Sequence, residues 1–280
     1  MEGCVSRRPT GVWSALLLPA AFVLAGCDLS LGHLTARATD EWTRSYPLQA
    51  GGEVRIVNTN GKIDIEGTDG STVEVRAERI ARGATDAAAR ELLPRIVIKE
   101  DIRPDRVSLE TERMSGIMIG AAFEVRYHVR APKKAVVNIT NTNGQVALAA
   151  LDGKVKAQTT NGGVNGRGLS GGVDARSTNG GVTIDMASVG PDSITLRTTN
   201  GGVTLTLPDR AKANLTASCT NGGINVSALE NLEISEQSRR RVEGRLNGGG
   251  TAIEVRTTNG GIRVRPRNSA EATPTAEADK

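Results

Sequence analysis

Aromatic side chains are nearly missing from this 280-residue chain: Phe, Trp and Tyr together make up 2% of it, and none lies between residues 133 and 266. Sugar grooves and single-stranded nucleic-acid platforms rely on aromatic stacking, so both readings lose ground. Histidine is limited to His33 and His128, neither with a ligand partner at usable spacing, so zinc binding fails on inventory. Cysteine occurs three times, at Cys4, Cys27 and Cys219, too few for a disulfide framework. The net charge is +4 with both signs interspersed, which argues against a dedicated nucleic-acid surface.

What is present begins with an export signal. Arg7 and Arg8 precede a mostly apolar run from Val12 to Ala25, followed by Leu24-Ala25-Gly26-Cys27 at its end. A basic start, a short apolar stretch and small residues before a cut define a secretory signal over residues 1–26. The run is shorter than the roughly twenty residues a spanning helix needs. LAGC resembles the lipobox of bacterial lipoproteins, which implies cleavage before Cys27 and acylation (palmitate among the acyl groups) of its sulfur. The expected location is the bacterial cell envelope, membrane-anchored and facing the periplasm or exterior. Asp28 resembles an inner-membrane retention signal, and Ser6-Arg7-Arg8 hints at twin-arginine export, although the residues after it fit poorly.

The main signal is an internal repeat. Thr-Asn-Gly recurs, preceded by Asn, Thr, Ser or Cys, with its asparagines at Asn60, Asn143, Asn161, Asn179, Asn200, Asn221 and Asn259. From Asn143 onward the spacings are 18, 18, 21, 21 and 38, the last close to two periods. Between the corners, Val155, Ala157 and Thr159 alternate with Lys154, Lys156 and Gln158, and Val182, Ile184 and Met186 follow suit. Period-two alternation bounded by glycine turns is a strand signal. Asn-Gly turns also suit an antiparallel meander, but a meander gives no reason for Thr-x-Asn at every second turn. A parallel two-sheet β-solenoid does, with coils of about 18–21 residues stacked on one another. In that geometry Thr159 and Asn161 point inward or into the corner, where stacked Thr and Asn rows satisfy one another coil to coil.

Residues 53–77 look like an earlier instalment, with Asn58-Thr59-Asn60-Gly61 between alternating strands. A short helix is expected over about 84–94, with a Thr or Asp start and Pro94 as its stop. The expected organisation is a signal peptide over 1–26, a lipidated N-terminus and tether over 27–48, the all-β repeat domain over 49–266, and a disordered tail over 267–280. The strand Ile262 to Val264, with Arg263, Arg265 and Pro266, reads as a blunted terminal edge.

Here the sequence resembles a bacterial "putative adhesin" domain family of unknown function whose coils carry TxNG repeats. The matching stretches are Val125–Pro132, Ile139–Val164 (ITNTNGQVALAALDGKVKAQTTNGGV), Leu207–Ile224 and Ile253–Val264, within about residues 50–266. The resemblance implies a β-solenoid-like fold in the envelope and carries no functional residue with it.

Other candidate chemistry reads more simply as structure. Gly166-Arg167-Gly168-Leu169-Ser170-Gly171 matches GxGxxG, but a strand follows it instead of the helix that a dinucleotide site requires. The Gly-Gly turns lack the repeating aspartates of calcium-binding β-rolls. His128 alternates outward opposite Tyr127 and has no marked triad partners. Cys219 takes the inward place held by Thr or Ser in sister repeats and reads as a buried core thiol. Asp174, Arg176, Asp185, Arg197, Glu254 and Arg256 read as a solvated face. Thr160, Thr178, Thr199, Thr220 and Thr258 point outward beside the corners, offering a flat repeated surface for envelope polymer or another copy of the chain.

No catalytic, metal or cofactor set emerges. The expectation is a non-enzymatic, adhesin-like binding or scaffolding lipoprotein that engages no nucleic acid. The alternatives are a carbohydrate-active β-helix enzyme using the outward carboxylates, or an envelope-stress regulatory lipoprotein.

Overall fold

The computed structural model describes residues 36–112 and 121–267. The signal peptide over 1–26, Cys27 and residues 268–280 of the expected tail lie outside the described residues. Of the two units into which the chain divides, only Gly32–Lys280 contains described residues.

The strands form two sheets, one of 10 and one of 11, called A and B here. Each coil places one strand in B, turns at an Asn-Gly corner, and places the next in A. In chain order the strands are β1 (Ala36–Pro47), β2 (Glu53–Asn60), β3 (Ile63–Thr68) and β4 (Thr72–Gly83). After a short helix come β5 (Ile98–Arg103), β6 (Arg106–Thr111), β7 (Ala121–Pro132), β8 (Val136–Asn143) and β9 (Val146–Ala149). Then follow β10 (Val155–Asn161), β11 (Val164–Leu169), β12 (Val173–Asn179), β13 (Val182–Met186), β14 (Ile194–Asn200) and β15 (Val203–Leu207). The chain ends with β16 (Ala213–Asn221), β17 (Ile224–Asn225), β18 (Leu232–Gln237), β19 (Arg241–Leu246), β20 (Thr251–Asn259) and β21 (Ile262–Pro266). The helix α1 (Asp86–Leu92) starts at Thr85, whose hydroxyl accepts the Ala88 amide, and Pro94 follows in a 3-10 turn.

Sheet A runs β1-β4-β7-β3-β9-β11-β13-β15-β21-β17, and sheet B runs β18-β19-β16-β20-β14-β12-β10-β8-β2-β6-β5. The central pairs are parallel and in register, so Val137, Val155, Val173 and Ile194 form one continuous row. These residues alternate inward, are 0–3% exposed, and pack with Ile184, Leu196, Val203 and Val255 in a single core. Each such side chain contributes about 1.5–3 kcal/mol of apolar burial. The stacking expected from the period is therefore present, and the meander is not.

Three expectations need correction. Residues 36–47, assigned to the tether, form β1, paired antiparallel with β4 from Ala36↔Gly83 to Pro47↔Thr72. Ala36, Ala38, Asp40, Trp42 and Tyr46 turn inward along this strand, but Asp40 on the inward face and the exposed run Thr43-Arg44-Ser45 break the apolar alternation that marks the array. The second correction concerns β21, which is not an edge: it lies between β15 and β17. Third, the 38-residue interval is not a skipped coil. It contains the antiparallel hairpin β18–β19, after which the chain returns and inserts β20 between β14 and β16. Antiparallel pairs also finish the other end, at β1–β4–β7 and β5–β6.

Candidate functional site

The corners explain the TTNGG motif residue by residue. Its first position points inward and donates to a glycine carbonyl of the neighbouring coil: Thr159 Oγ1 to Gly144 O at 3.1 Å, Ser177 Oγ to Gly162 O at 2.7 Å, Thr198 Oγ1 to Gly180 O at 2.7 Å, and Thr257 Oγ1 to Gly201 O at 2.9 Å. In the two earliest corners the place is held by Asn58 and Asn141, whose amides donate to Val125 O and Gly61 O at 2.9 Å each. The second position, Thr160 and its equivalents, is exposed.

The third position forms a single ladder. Asn143 donates to Asn60, Asn161 to Asn143, Asn179 to Asn161, Asn200 to Asn179, Asn259 to Asn200, and Asn221 to Asn259, all by Nδ2–H to Oδ1 at 2.7–2.9 Å. The order of its rungs follows the stack and not the chain. Thr159 is thus buried while Asn161 stands at the exposed corner. The fourth position allows the coils to approach closely. A Cβ on Gly162 would lie 2.2 Å from Gly144 O, and one on Gly180 would lie 2.1 Å from Gly162 O.

A second feature was not legible from sequence. A cavity of about 790 Å³ opens on the outer face of sheet A. Its floor is Ala147 and Ala149 on β9, the small outward residues of that strand. In the upper row Asp64 and His128 flank Ala147 on one side and Asn165 on the other. In the lower row Glu66 and Arg130 flank Ala149 on one side and Arg167 on the other. Asp64 is bridged to Lys62 Nζ at 2.8 Å and His128 Nδ1 at 3.3 Å, and Arg130 reaches Glu74 at 3.2 Å. The result is a trough with an alanine floor and walls of both charge signs. Its signal in the sequence was the pair of alanines where sister strands carry polar or charged residues, but only the stacking order shows which charges flank them.

The outward carboxylates do not converge. Asp174 and Glu254 lie on the outer face of sheet B, whereas Asp185 is on sheet A. Asp174 is paired with Arg176 at 2.8 Å, Glu254 takes both oxygens to Arg197 at 2.9 Å, and Asp185 meets Arg267 at 3.3 Å. Cys219 is buried, with Sγ 3.9 Å from Arg239 O, and it pairs in register with Thr257. Among the described residues no group of His, Cys, Asp and Glu could hold a metal ion. No described helix is long and apolar enough to cross a membrane.

Two buried phenols have perturbed ionisation. Burial pushes Tyr127 well above the ordinary tyrosine range, partly offset by its hydrogen bond with Thr111 Oγ1 at 2.8 Å. Burial, and then donation to Glu100 Oε2 at 2.5 Å, pushes Tyr46 up likewise. Both sit at the β1–β7 end of the stack, where they fix strands to one another.

The profile of Toastrack DUF4097, a domain of unknown function, matches residues 48–265. The chain belongs to this family. Toastrack is a β-solenoid-like fold, in accord with the two open, mostly parallel sheets. Among solved structures, the chain is similar to a "putative cell adhesion protein" from Clostridium sporogenes ATCC 15579 (14% identity, 82% of this chain and 100% of that one, TM-score 0.45). It is also similar to a "putative adhesin" from Bacteroides fragilis NCTC 9343 (10% identity, 81% and 97%, TM-score 0.39). No curated protein matches the chain.

Proposed function

We propose that this Toastrack protein is a non-enzymatic module of the bacterial cell envelope, anchored by a lipid on Cys27, that presents a stiff β-rod for binding or scaffolding. One observation carries the reading: the ladder of seven hydrogen-bonded asparagines, backed by inward hydroxyls on glycine carbonyls, ties the coils of the array into one body. Such a body holds its faces in fixed positions. The trough on sheet A is the binding face, and its mixed charges suit a charged or zwitterionic envelope polymer. Hydrolysis has less support, because paired carboxylates must flank one bond, whereas Asp174 and Glu254 lie on sheet B and Asp185 on sheet A.

Two experiments test this. Cys27→Ser should move the protein from the membrane to the soluble fraction and abolish fatty-acid labelling; unchanged fractionation refutes the anchor. Ala149→Trp should fill the trough and reduce retention on isolated envelope polymer without altering the fold. Turnover in a glycan hydrolysis screen, abolished by Asp174→Ala or Glu254→Ala, would replace binding with catalysis.

A further inference from the structure

The exposed large apolar side chains among the described residues are Val97 (42%), Ile102 (39%) and Ile234 (44%). They occupy the two ends of sheet B: Val97 directly precedes β5, Ile102 lies on it, and Ile234 lies on β18 at the opposite edge. Unpaired strand edges template pairing with another chain.

Register connects these two edges. Ile102 pairs with Val107, which leads through Val54, Val137, Val155 and Val173 to Ile194. The row continues through Ile253, Leu215 and Gly244 to Ile234. Between the two isoleucines every member of the row is buried, so both isoleucines belong to a core row that stops at the sheet edges. Direction agrees as well. β5 runs antiparallel to β6 and hence against the array, whereas β18, two antiparallel steps from β16, runs with it. A second rod in the same orientation therefore brings β5 antiparallel to β18, with Ile102 opposite Ile234.

We infer that the rods assemble end to end, the β5 edge of one copy pairing with the β18 edge of the next, so that sheet B and its core row continue across the junction. The next row down places Arg103 opposite Glu233, an attractive contact. The next row up brings Asp101 toward Glu236, and each of these is already held by an arginine of its own chain, Arg106 and Arg241. A junction that does not close on itself gives filaments, not rings. The inference rests on the scaffolding reading, whose partner it names as the chain itself.

In-cell disulfide capture with the full-length protein tests it. Directly opposite residues on antiparallel strands stand about 4.5–5.5 Å apart at Cβ, close enough for a small adjustment to form a disulfide. The double variant Ile102→Cys/Ile234→Cys should yield a ladder of covalent dimers, trimers and longer species. The two single variants, expressed together, should give only a dimer, and each alone should remain monomeric. Arg103→Glu should lower the yield several-fold, and adding Glu233→Arg should restore it. Three results would overturn the proposal: monomer alone from the double variant, dimer from either single variant alone, or a ladder indifferent to the charge reversal. Thr160→Cys, exposed on a corner away from both edges, reports chance collisions; a ladder no stronger than that background also overturns it. A capture ladder with no retention on envelope polymer would remove the binding role and leave the assembly, whereas the converse would do the opposite.

Discussion

Gly162→Ala is the sharpest probe of the stacked corner. The added Cβ would stand 2.2 Å from Gly144 O and 2.5 Å from Gly144 C, and both are backbone atoms that cannot rotate away. Relief requires the two coils to part by about an ångström, since carbon–oxygen contacts below about 3 Å are repulsive. That movement stretches three hydrogen bonds: Gly144 N to Asn161 O at 2.8 Å, Thr159 Oγ1 to Gly144 O at 3.1 Å, and Asn161 Nδ2 to Asn143 Oδ1 at 2.7 Å. At about 0.5–1.5 kcal/mol each, with about 1 kcal/mol or more of residual overpacking, the loss is about 3–5 kcal/mol. For a domain of this size that lowers the melting midpoint by roughly 6–20 °C. Gly223→Ala is the control for an added methyl at a corner glycine, because it lies one place later in the motif on the outermost coil, where a Cβ meets nothing within 4 Å. Thermal melts of both variants, followed by β-sheet circular dichroism, decide the matter. Equal midpoints would refute the close approach of coils at the corner.

Asn179→Asp replaces the donor to Asn161 Oδ1 with a second oxygen while keeping the acceptor for Asn200, so it should cost about 1–2 kcal/mol in a denaturant titration; Asn60→Asp, at the end of the ladder, should cost less. Tyr46 and Tyr127 are the chain's two tyrosines, and both have raised folded-state pKa values. Their contribution to stability is complete below the ordinary tyrosine ionisation near pH 10 and is lost as pH rises through the higher folded values. Tyrosinate absorbance should therefore appear together with unfolding in an alkaline titration, and a separate earlier step would count against their burial. Deleting residues 250–280 removes β20 and β21, so β16 to β19 should lose hydrogen-exchange protection too; retained protection there would contradict the inserted coil.

The coil itself was legible in the sequence. Val155, Ala157 and Thr159 alternate as a strand with one buried face must, and the Asn-Gly pairs mark where it turns. The recurrence of Thr-x-Asn at every second turn separated a solenoid from a meander, because only stacked coils bring like corners together. Cys219 and Thr257 share the first place of the motif and are equivalent inward positions in the stack. β1 was not legible: its partners on β4 lie 25 to 47 residues away, and Asp40 with the exposed run Thr43-Arg44-Ser45 makes it resemble a linker. The trough was hidden for a related reason. Ala147 and Ala149 are unremarkable until Asp64 and His128 on one side, and Asn165 and Arg167 on the other, are brought beside them by strands from distant parts of the chain.

Stacking order is the deeper gap, and energetics explain it. A local period reports the shape of a coil but says nothing about which coil sits on which. Here the first complete coil, β2–β3, lies inside β6–β7, and the last, β20–β21, lies inside β16–β17. Beyond these coils the edges are formed by antiparallel strands, β4 and β1 in sheet A, β5 at one end of sheet B and β19 and β18 at the other. The entropic cost is small: joining Asn200 to Asn259 across 59 residues, where 21 would serve, adds about 1 kcal/mol of loop closure. Against this, β20 gains an in-register partner on each side, β14 and β16, and a ladder bond at each face. Several backbone hydrogen bonds at about 0.5–1.5 kcal/mol each outweigh that cost. In the native stack β16–β17 is therefore seated on a coil synthesised after it.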